Sequence, residues 1–288
     1  MARDHRSMTI GEACRAAAAK LRAAGVPDPV WDSGELMARA TGLAPLMARL
    51  SERELTAEEA ETFETLCARR LRREPLQYIL GEQSFCGRSF QVDARVLIPR
   101  PETELLAERA VTALGAFGPG ARALDLCCGS GCLGITLALD VPGSIVDAAD
   151  LSPDALAVTR LNAEKLGARL TLHQGDLWEA VGAQTYQVIV SNPPYIPDAE
   201  CLTLQEEVLR EPGMALKGGA DGLDFYRRIA DGLAAHLAPG GVVLLEVGYD
   251  QAARVAAMLE AAGCRASCHR DYQGILRMVE ARRSNEGA

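Results

Sequence analysis

Long uninterrupted apolar runs are absent from this sequence of 288 residues, and their absence argues against the common kinds of membrane protein. A transmembrane helix needs about 20 consecutive apolar residues. A secretory signal needs a shorter apolar region near the start of the chain, where this sequence reads MARDHRSMTIGEACRAAAAKLRAAG and intersperses charged residues. The sequence therefore predicts a protein that is neither secreted nor membrane-spanning, and we expect it in the cytoplasm.

An excess of positive charge is also missing. The formal net charge is −9 at pH 7. Proteins that bind nucleic acid by neutralising phosphates need a basic surface. The composition therefore argues against an electrostatically driven nucleic-acid binder. A local basic patch is still compatible with this net charge.

The cysteines follow neither a disulfide framework nor a zinc-binding pattern. Nine cysteines are present, several of them inside apolar strand or helix patterns. An odd number of cysteines in a chain without a secretion signal indicates buried, reduced thiols. Cys264, Cys268 and His269 are close in sequence, but a structural zinc site needs four suitably spaced ligands, and no second cluster follows. We therefore predict that there is no metal site.

The part of the sequence up to residue 80 predicts a small helical domain. Thr9 is placed to cap a helix that ends near Gly25, and Thr56 forms a capping box with Glu59 at the start of another helix. The apolar residues expected to share one face of that later helix are Ala60, Phe63, Cys67 and Leu71. We expect this domain to span residues 1–80.

Two different patterns follow the helical part. Residues 81–100 alternate aromatic and polar side chains around Gly87, which predicts a β-hairpin linking the two parts. In residues 101–288 strands and helices alternate, which predicts a mostly parallel sheet with helices on both faces. The expected strands are 121–127, 144–150, 170–176, 186–191, 241–247, 264–271 and 276–282. The sequence therefore predicts a large α/β domain of the Rossmann-like class.

A glycine-rich turn follows the first strand of this predicted sheet, and contains Cys127, Cys128, Gly129, Ser130 and Gly131. Ligands of such sheets bind outside the carboxyl ends of the strands. A turn of this kind lets the backbone approach a ligand closely and presents helix N–H groups to a carboxylate or phosphate. The pattern fits dinucleotide-binding proteins and methyltransferases alike, and it also fits a tight turn without any ligand.

Two carboxylates close the next two strands. Asp150 can accept hydrogen bonds from both hydroxyls of a ribose, or it can serve as a helix cap or a solvated loop residue. Asp176 is placed to accept from an adenine amino group, with Leu177 beside the ring, and its alternative is again a loop acid. Taken together, the ends of three successive strands predict a pocket for an adenosyl group.

The fourth strand is followed by Asn192, Pro193, Pro194 and Tyr195. The prolines lack N–H groups, so they end the strand and leave carbonyl groups free toward the cleft. A residue before proline is restricted to extended conformations, which fixes the direction of the Asn192 amide. That amide oxygen and a backbone carbonyl can accept both hydrogens of a planar –NH₂ group, with Tyr195 beside it. A proline-rich turn with an aromatic plug is the alternative interpretation.

The motif at residues 192–195 resembles that of methyltransferases acting on planar nitrogens, which include adenine-N6 and protein-glutamine-N5 enzymes. Three further stretches resemble the release-factor glutamine methyltransferases: residues 75–81, residues 97–104, and residues 211–212 with 215–223. The resemblance covers essentially the whole chain. It implies a class I, Rossmann-like fold dependent on S-adenosylmethionine, with an N-terminal helical domain that in this family helps to bind the release factor.

The resemblance also implies a reaction and a set of residues. The substrate would be the glutamine of the Gly-Gly-Gln motif in class I peptide-chain release factors, methylated at N5. Asn192, Pro193, Pro194 and Tyr195 would bind the glutamine amide, with Asn192, Pro193 and Tyr195 as the catalytic residues. The residues expected to contact S-adenosylmethionine are Cys127, Cys128, Gly129, Ser130, Gly131, Asp150, Asp176, Leu177 and Asn192.

This sequence departs from the family pattern at two places. The usual Gly-Thr pair of the turn is Cys127-Cys128 here, for which we expect a small filler role in preference to a catalytic or redox one. Where the family often has an aromatic residue, Leu177 is followed by Trp178, so either side chain is a candidate to cover the adenine. Neither departure affects the residues that would bind the substrate amide.

Orientation of the substrate amide, without a strong general base, is the expected mechanism. Glu102, Glu104 and Glu211 are available as bases, but helix-start charge and ion pairing explain them adequately. Alternative activities are ribosomal-protein glutamine methylation and adenine-N6 methylation of nucleic acid, the latter requiring a flipped base and phosphate contacts. A non-catalytic cofactor-binding protein is the third alternative. No direct nucleic-acid or membrane partner is expected.

Overall fold

The computed structural model describes residues 8–284, and the chain divides into two compact units. One unit consists of the chain up to Gly81 together with the short segment Glu206–Arg210. The other consists of Glu82–Gln205 and the chain from Glu211 onward. No helix in the described part of the chain is long and apolar enough to span a bilayer.

The first unit is helical. Its helices are α1 Ile10–Ala23, α2 Pro29–Thr41, α3 Pro45–Leu50, α4 Ala57–Leu71 and α5 Leu76–Leu80. Thr9 caps α1 and Thr56 caps α4, and in both cases the glutamate three residues later completes a capping box. These caps confirm the helix starts predicted at Thr9 and Thr56.

Two helices of this unit and one side chain differ from expectation. The short helices α3 and α5 were not predicted, because six or five residues are too few to reveal a helical period. Leu71 was expected on the apolar face of α4 but is 37% exposed, whereas Phe63 on the same helix is buried. The reason is position: Leu71 is the last residue of α4, where the chain turns away.

The second unit begins with the predicted hairpin, whose strands are β1 Glu82–Phe85 and β2 Arg88–Gln91. They pair antiparallel, with Cys86 and Gly87 at the turn. The helices that follow are α6 Pro101–Gly115, α7 Cys132–Asp140, α8 Pro153–Leu166, α9 Asp224–His236 and α10 Ala252–Ala261. The strands that alternate with them are β3 Arg122–Leu126, β4 Ile145–Asp150, β5 Thr171–Gln174, β6 Tyr186–Ser191, β7 Leu237–Glu246, β8 Cys264–Arg270 and β9 Leu276–Arg283.

Within residues 8–284 these strands form one sheet of seven, in the order β5-β4-β3-β6-β7-β9-β8. Strands β3 to β7 run parallel, while β9 is antiparallel to both β7 and β8. Apolar clusters cover both faces of the sheet: one includes α9 and α10, and the other α6 and α7. This arrangement confirms the predicted Rossmann-like α/β architecture.

The strand order determines where a ligand can bind. From β3 the chain proceeds to β4 and β5 on one side and to β6 and β7 on the other, so the connections leave the centre in opposite directions. A crevice forms at the carboxyl ends of strands where the order reverses in this way. The turns after β3, β4 and β6 are therefore brought to one edge of the sheet.

Candidate active site

A cavity of about 1050 Å³, counting its open mouth, lies at this edge of the second unit. Eight of the nine residues predicted to contact the cofactor line it: Cys127, Cys128, Gly129, Ser130, Asp150, Asp176, Leu177 and Asn192. Pro194 lines it as well. Gly131, Pro193 and Tyr195, also predicted as site residues, are not among the residues that line the cavity.

Hydrogen bonds from side chains of α8 fix the backbone path of the glycine-rich turn. Thr159 donates a hydrogen bond to the carbonyl of Gly129 at 2.9 Å, and Asn162 donates to the carbonyl of Ser130 at 2.9 Å. Gly131 has a φ of +79°, and a Cβ there would lie 2.6 Å from the Thr159 methyl carbon. Gly131 is therefore required for packing against α8 rather than for lining the cavity.

Asp150 joins the ends of two neighbouring strands. Its Oδ2 accepts from the N–H of Gly129 at 2.9 Å and its Oδ1 from the N–H of Ser152 at 2.9 Å. Burial raises the pKa of Asp150, while these backbone hydrogen bonds oppose the shift. The cap of α8 is Ser152, whose hydroxyl accepts from Ala155. Each carboxylate oxygen can accept more than one hydrogen bond, so Asp150 retains capacity toward the cavity.

The segment after β5 presents Leu177 to the cavity. The strand ends at Gln174, so Asp176 lies two residues beyond the strand that it was expected to close. Asp176 Oδ1 is 2.7 Å from a guanidinium nitrogen of Arg228 on α9. Trp178 stacks on His236 with ring centroids 4.5 Å apart and does not line the cavity.

The Asn-Pro-Pro-Tyr segment continues directly from β6. Ser191 at the end of the strand donates to the carbonyl of Leu126 on β3, which ties this segment to the glycine-rich turn. Asn192 is half-buried and lines the cavity, and Pro193 is buried. Burial raises the pKa of the half-buried Tyr195, so the phenol is neutral at physiological pH.

Gln251, which was not predicted as a site residue, fixes the backbone of this segment through hydrogen bonds. The residue is 2% exposed, and its Nε2 donates to the carbonyls of Tyr195 at 2.8 Å and Gly222 at 3.2 Å. Its Oε1 accepts from the N–H of Gly248 at 2.9 Å. A Cβ at Gly222 would lie 2.4 Å from the Tyr195 carbonyl oxygen, so only glycine allows this approach.

Thr103 and Glu246 are two further residues that the sequence analysis did not assign to the site. Thr103 lines the cavity, and its hydroxyl contacts both Glu246 and Asn192. Burial raises the pKa of Glu246 to about 7, although the hydrogen bond from Thr103 lowers it. Thr103 lies within residues 97–104, one of the stretches that resemble the family. That resemblance could have indicated Thr103 as a site residue.

Two of the three glutamates considered as alternative bases have structural partners. Glu104 accepts from the backbone N–H of Cys86 at 2.9 Å. Glu211 accepts from the N–H of Ile98 at 2.9 Å and pairs with Arg100 at 2.5 Å. Glu102 and Glu104 lie in the first turn of α6. These contacts agree with the expectation that helix-start charge and ion pairing account for them.

The thiols of the glycine-rich turn are held in their neutral form. Burial raises the pKa of Cys127, Cys128 and Cys132 well above the ordinary value, so thiolate is scarce at neutral pH. Cys127 adopts a left-handed conformation with a φ of +62°, which is a position where glycine is unstrained. Glycine, the residue that the family resemblance implies at this position, would adopt this conformation without strain.

Comparison with known proteins agrees with this geometry. Residues 12–81 match the family described as PrmC N-terminal domain, and residues 101–222 match the Methyltransferase small domain. The chain is 43% identical over 261 residues to the release factor glutamine methyltransferase of Geobacter sulfurreducens, covering 90% of this chain and 91% of that protein. It is 40% identical over 254 residues to the ribosomal protein uL3 glutamine methyltransferase of Bordetella pertussis, covering 84% and 85% respectively.

A solved structure supports the fold independently. The methyltransferase from Pyrococcus furiosus matches with a TM-score of 0.53 and 18% identity, over 70% of this chain and 91% of that one. At this level of identity the match demonstrates a shared fold. The activity has to be argued from the site itself.

Proposed function

The chain belongs to the family of release factor glutamine methyltransferases, and we propose that it methylates N5 of the glutamine in the Gly-Gly-Gln motif of class I peptide-chain release factors. One observation supports this most directly: Asn192 lines the same cavity as Asp150 and the glycine-rich turn. A group able to hold a planar amide therefore lies beside the residues suited to an adenosyl ligand.

The residues around the cavity fit S-adenosylmethionine. When bound, this cofactor supplies an electrophilic methyl group on a positively charged sulfur. Asp150 would accept the ribose hydroxyls, and Asp176 with Leu177 would bind the adenine. The turn at residues 127–131 would approach the methionine portion, as glycine-rich turns approach charged ligand groups. Because Leu177 lines the cavity and Trp178 does not, Leu177 is the side chain that would cover the adenine.

Asn192 and Pro193 would orient the substrate. An amide nitrogen is a weak nucleophile because its lone pair is delocalised into the carbonyl. The Oδ1 of Asn192 and the carbonyl of Pro193 would accept the two hydrogens of the glutamine –NH₂, aim the nitrogen, and stabilise positive charge developing on it. Tyr195 would pack beside the planar amide as a neutral ring. The excess proton can then leave to water.

The relative that acts on a ribosomal protein favours a second candidate substrate, ribosomal protein uL3. The stretch 97–104 resembles the release-factor branch, so we place the release factor first. The deciding experiment incubates the protein with labelled S-adenosylmethionine and, separately, a class I release factor, ribosomal protein uL3 or duplex DNA, and locates the methyl group by mass spectrometry. Methylation confined to uL3 or to adenine would overturn the proposal.

We also infer that the protein works in a reducing compartment, the cytoplasm. All nine cysteines lie in the described part of the chain and are free thiols. Proteins of oxidising compartments tend to carry disulfides.

Asp150→Ala should weaken S-adenosylmethionine binding by roughly 1.5–3 kcal/mol, the range for hydrogen bonds to a charged group. The dissociation constant, measured by titration calorimetry, would rise about 10- to 150-fold. Asp154→Ala is the matched control, because Asp154 is an exposed carboxylate at the start of α8 and does not line the cavity. Unchanged affinity in the Asp150 variant would remove this residue from the site.

Because Asp150 also accepts two backbone hydrogen bonds, its direct contact with ribose needs a separate test. An S-adenosylhomocysteine analogue lacking both ribose hydroxyls should bind the wild-type protein more weakly than S-adenosylhomocysteine does. The Asp150 variant should distinguish the two ligands much less, since the contact is already lost. Equal discrimination by both proteins would mean that Asp150 only shapes the turn.

The double variant Cys127→Ser/Cys128→Ser should methylate at close to the wild-type rate. Both thiols are neutral, and serine is of similar size, so no chemistry is removed. Cys268→Ser, at a half-buried thiol on β8, is the matched control. Single-turnover kinetics would measure the rate. A loss beyond about tenfold, or roughly 1.4 kcal/mol, with an intact circular dichroism spectrum would reveal a catalytic or redox role.

A further inference from the structure

Glu246 is a buried carboxyl group that the proposed reaction does not use. It ends β7, its residue is 3% exposed, and the hydroxyl of Thr103 donates to its Oε2 at 2.6 Å. Thr103 lies in the first turn of α6 and is 2% exposed. Tyr226 donates to the backbone carbonyl of Glu246 at 2.8 Å, which further fixes the strand end.

The direction of these hydrogen bonds determines the orientation of the Asn192 amide. A hydroxyl has a single proton, and an ionised carboxylate can only accept, so when Glu246 is ionised the Thr103 proton is committed to its Oε2. The Thr103 oxygen then offers only lone pairs to its other neighbour. Asn192 Nδ2 lies 3.4 Å from it and is the donor of that contact. The Nδ2 of Asn192 is therefore held toward Thr103, which leaves Oδ1 to face away.

We propose that Thr103 and Glu246 are positioning residues that hold Asn192 with Oδ1 toward the substrate glutamine. This inference rests on the proposed function. An Asn192 amide turned by 180° would present –NH₂ to the –NH₂ of the substrate, and two donors cannot bond each other. Thr103 and Glu246 exclude that orientation without touching the reacting atoms.

The placement of both residues supports a role beyond packing. Burying a carboxyl group is costly unless it is hydrogen-bonded, and an apolar residue at position 246 would avoid that cost. The adjoining residues of β7, Val242 to Leu245, are fully buried and aliphatic, so the strand accommodates apolar side chains. The polar pair lies at the end of the strand that faces the cavity, where Thr103 and Asn192 meet.

The test compares Thr103→Val, which keeps the shape and removes the hydroxyl, with Thr103→Ser, which restores it. We expect Thr103→Val to lower the single-turnover rate at saturating release factor and cofactor about tenfold. This loss is smaller than the one expected on removing a side chain that contacts the substrate directly. Thr103→Ser should stay within about threefold of wild type, and cofactor affinity within about twofold for both. Thr112→Val, at an exposed threonine of α6, should have no effect.

A double-mutant cycle separates positioning from general structural damage. Because Thr103 acts through Asn192, Thr103→Val should cost less than about twofold in an Asn192→Ala background. Equal losses in both backgrounds, or a serine variant as slow as the valine variant, would overturn the inference. Should Thr103→Val not fold, Glu246→Met serves instead, because it removes the group that accepts the Thr103 proton. Thr103 is then free to donate to Asn192 Oδ1, so we expect the same loss when Asn192 is present and little further loss in the Asn192→Ala background.

The activity of the wild-type protein distinguishes failure of the proposed function from failure of the positioning role. If wild-type protein methylates no release-factor glutamine, the proposed function fails. If it does so and Thr103→Val retains more than half the rate, only the positioning role fails.

Discussion

Asn192→Ala should lower the rate of glutamine methylation about 10²- to 10³-fold, the usual loss on removing one preorganised polar partner from an active site. The variant loses one of the two acceptors proposed to hold the substrate amide. Its affinity for S-adenosylmethionine should change much less, because Asp150 and the glycine-rich turn remain. Single-turnover kinetics would measure the rate, and calorimetry the cofactor affinity.

Asn192→Asp makes the same test sharper. A carboxylate still accepts hydrogen bonds, but it cannot donate to Thr103, and it adds charge beside the sulfonium. Turnover should therefore fall in this variant as well if orientation is what matters. Binding of the release factor should survive in both variants. A rate above about a third of wild type for Asn192→Ala, a barrier change below roughly 0.7 kcal/mol, would contradict the proposed amide clamp.

Most of the sheet was predictable because buried strands produce continuous apolar runs between turn residues. The strand at 186–191 was predicted with its observed bounds. Strand β7 instead begins at Leu237, four residues earlier than expected. The residues Pro239, Gly240 and Gly241 suggest a turn, yet they lie within a strand whose pairing with β6 is irregular between Tyr186 and Val188. Such an irregularity depends on the neighbouring strand and leaves no local signal.

The candidate cofactor residues were predictable for a topological reason. In a parallel sheet the carboxyl ends of successive strands lie at one edge, so residues placed after each strand converge there. The supporting contacts are different, because they join residues far apart in sequence. Thr103 and Glu246 are separated by 143 residues, and Gln251 and Tyr195 by 56. Only the folded chain reveals which buried polar side chains meet.

Arg70→Ala should destabilise the helical unit by about 3–5 kcal/mol, the cost of removing one partner from a buried ion pair. Arg70 is 3% exposed, and its Nε donates to Asp32 at 2.7 Å. Among the described residues, Arg70 is the cation paired with Asp32. Glu207, the other partner of Arg70, keeps two hydrogen bonds of 2.7 Å from Arg73. Arg70→Ala therefore leaves Asp32 as the buried carboxylate without its paired cation.

Urea unfolding would measure this effect through Trp31 fluorescence in a Trp178→Phe background, since Trp31 adjoins Asp32 on α2. Arg69→Ala is the matched control. Arg69 pairs with Glu74 on the same helical unit, but the two side chains are 34% and 28% exposed. Such a pair contributes about 1 kcal/mol or less. Equal destabilisation by Arg69→Ala and Arg70→Ala would contradict the importance assigned to the buried pair.

The pH dependence of unfolding should identify Asp32 as the group responsible. Burial raises the pKa of Asp32, and the hydrogen bond from Arg70 opposes that shift, so removing Arg70 raises the pKa further. When the pKa of a carboxyl group is higher in the folded than in the unfolded state, the free energy of unfolding falls as pH rises. The fall begins near the unfolded-state pKa, about 4, and is complete above the folded-state pKa. Arg70→Ala should therefore be more destabilising at pH 8 than at pH 5.

Adding Asp32→Asn removes the charge that titrates, so the double variant should recover stability at pH 8 and lose the difference between the two pH values. A difference that persists in the double variant would assign the effect to a group other than Asp32.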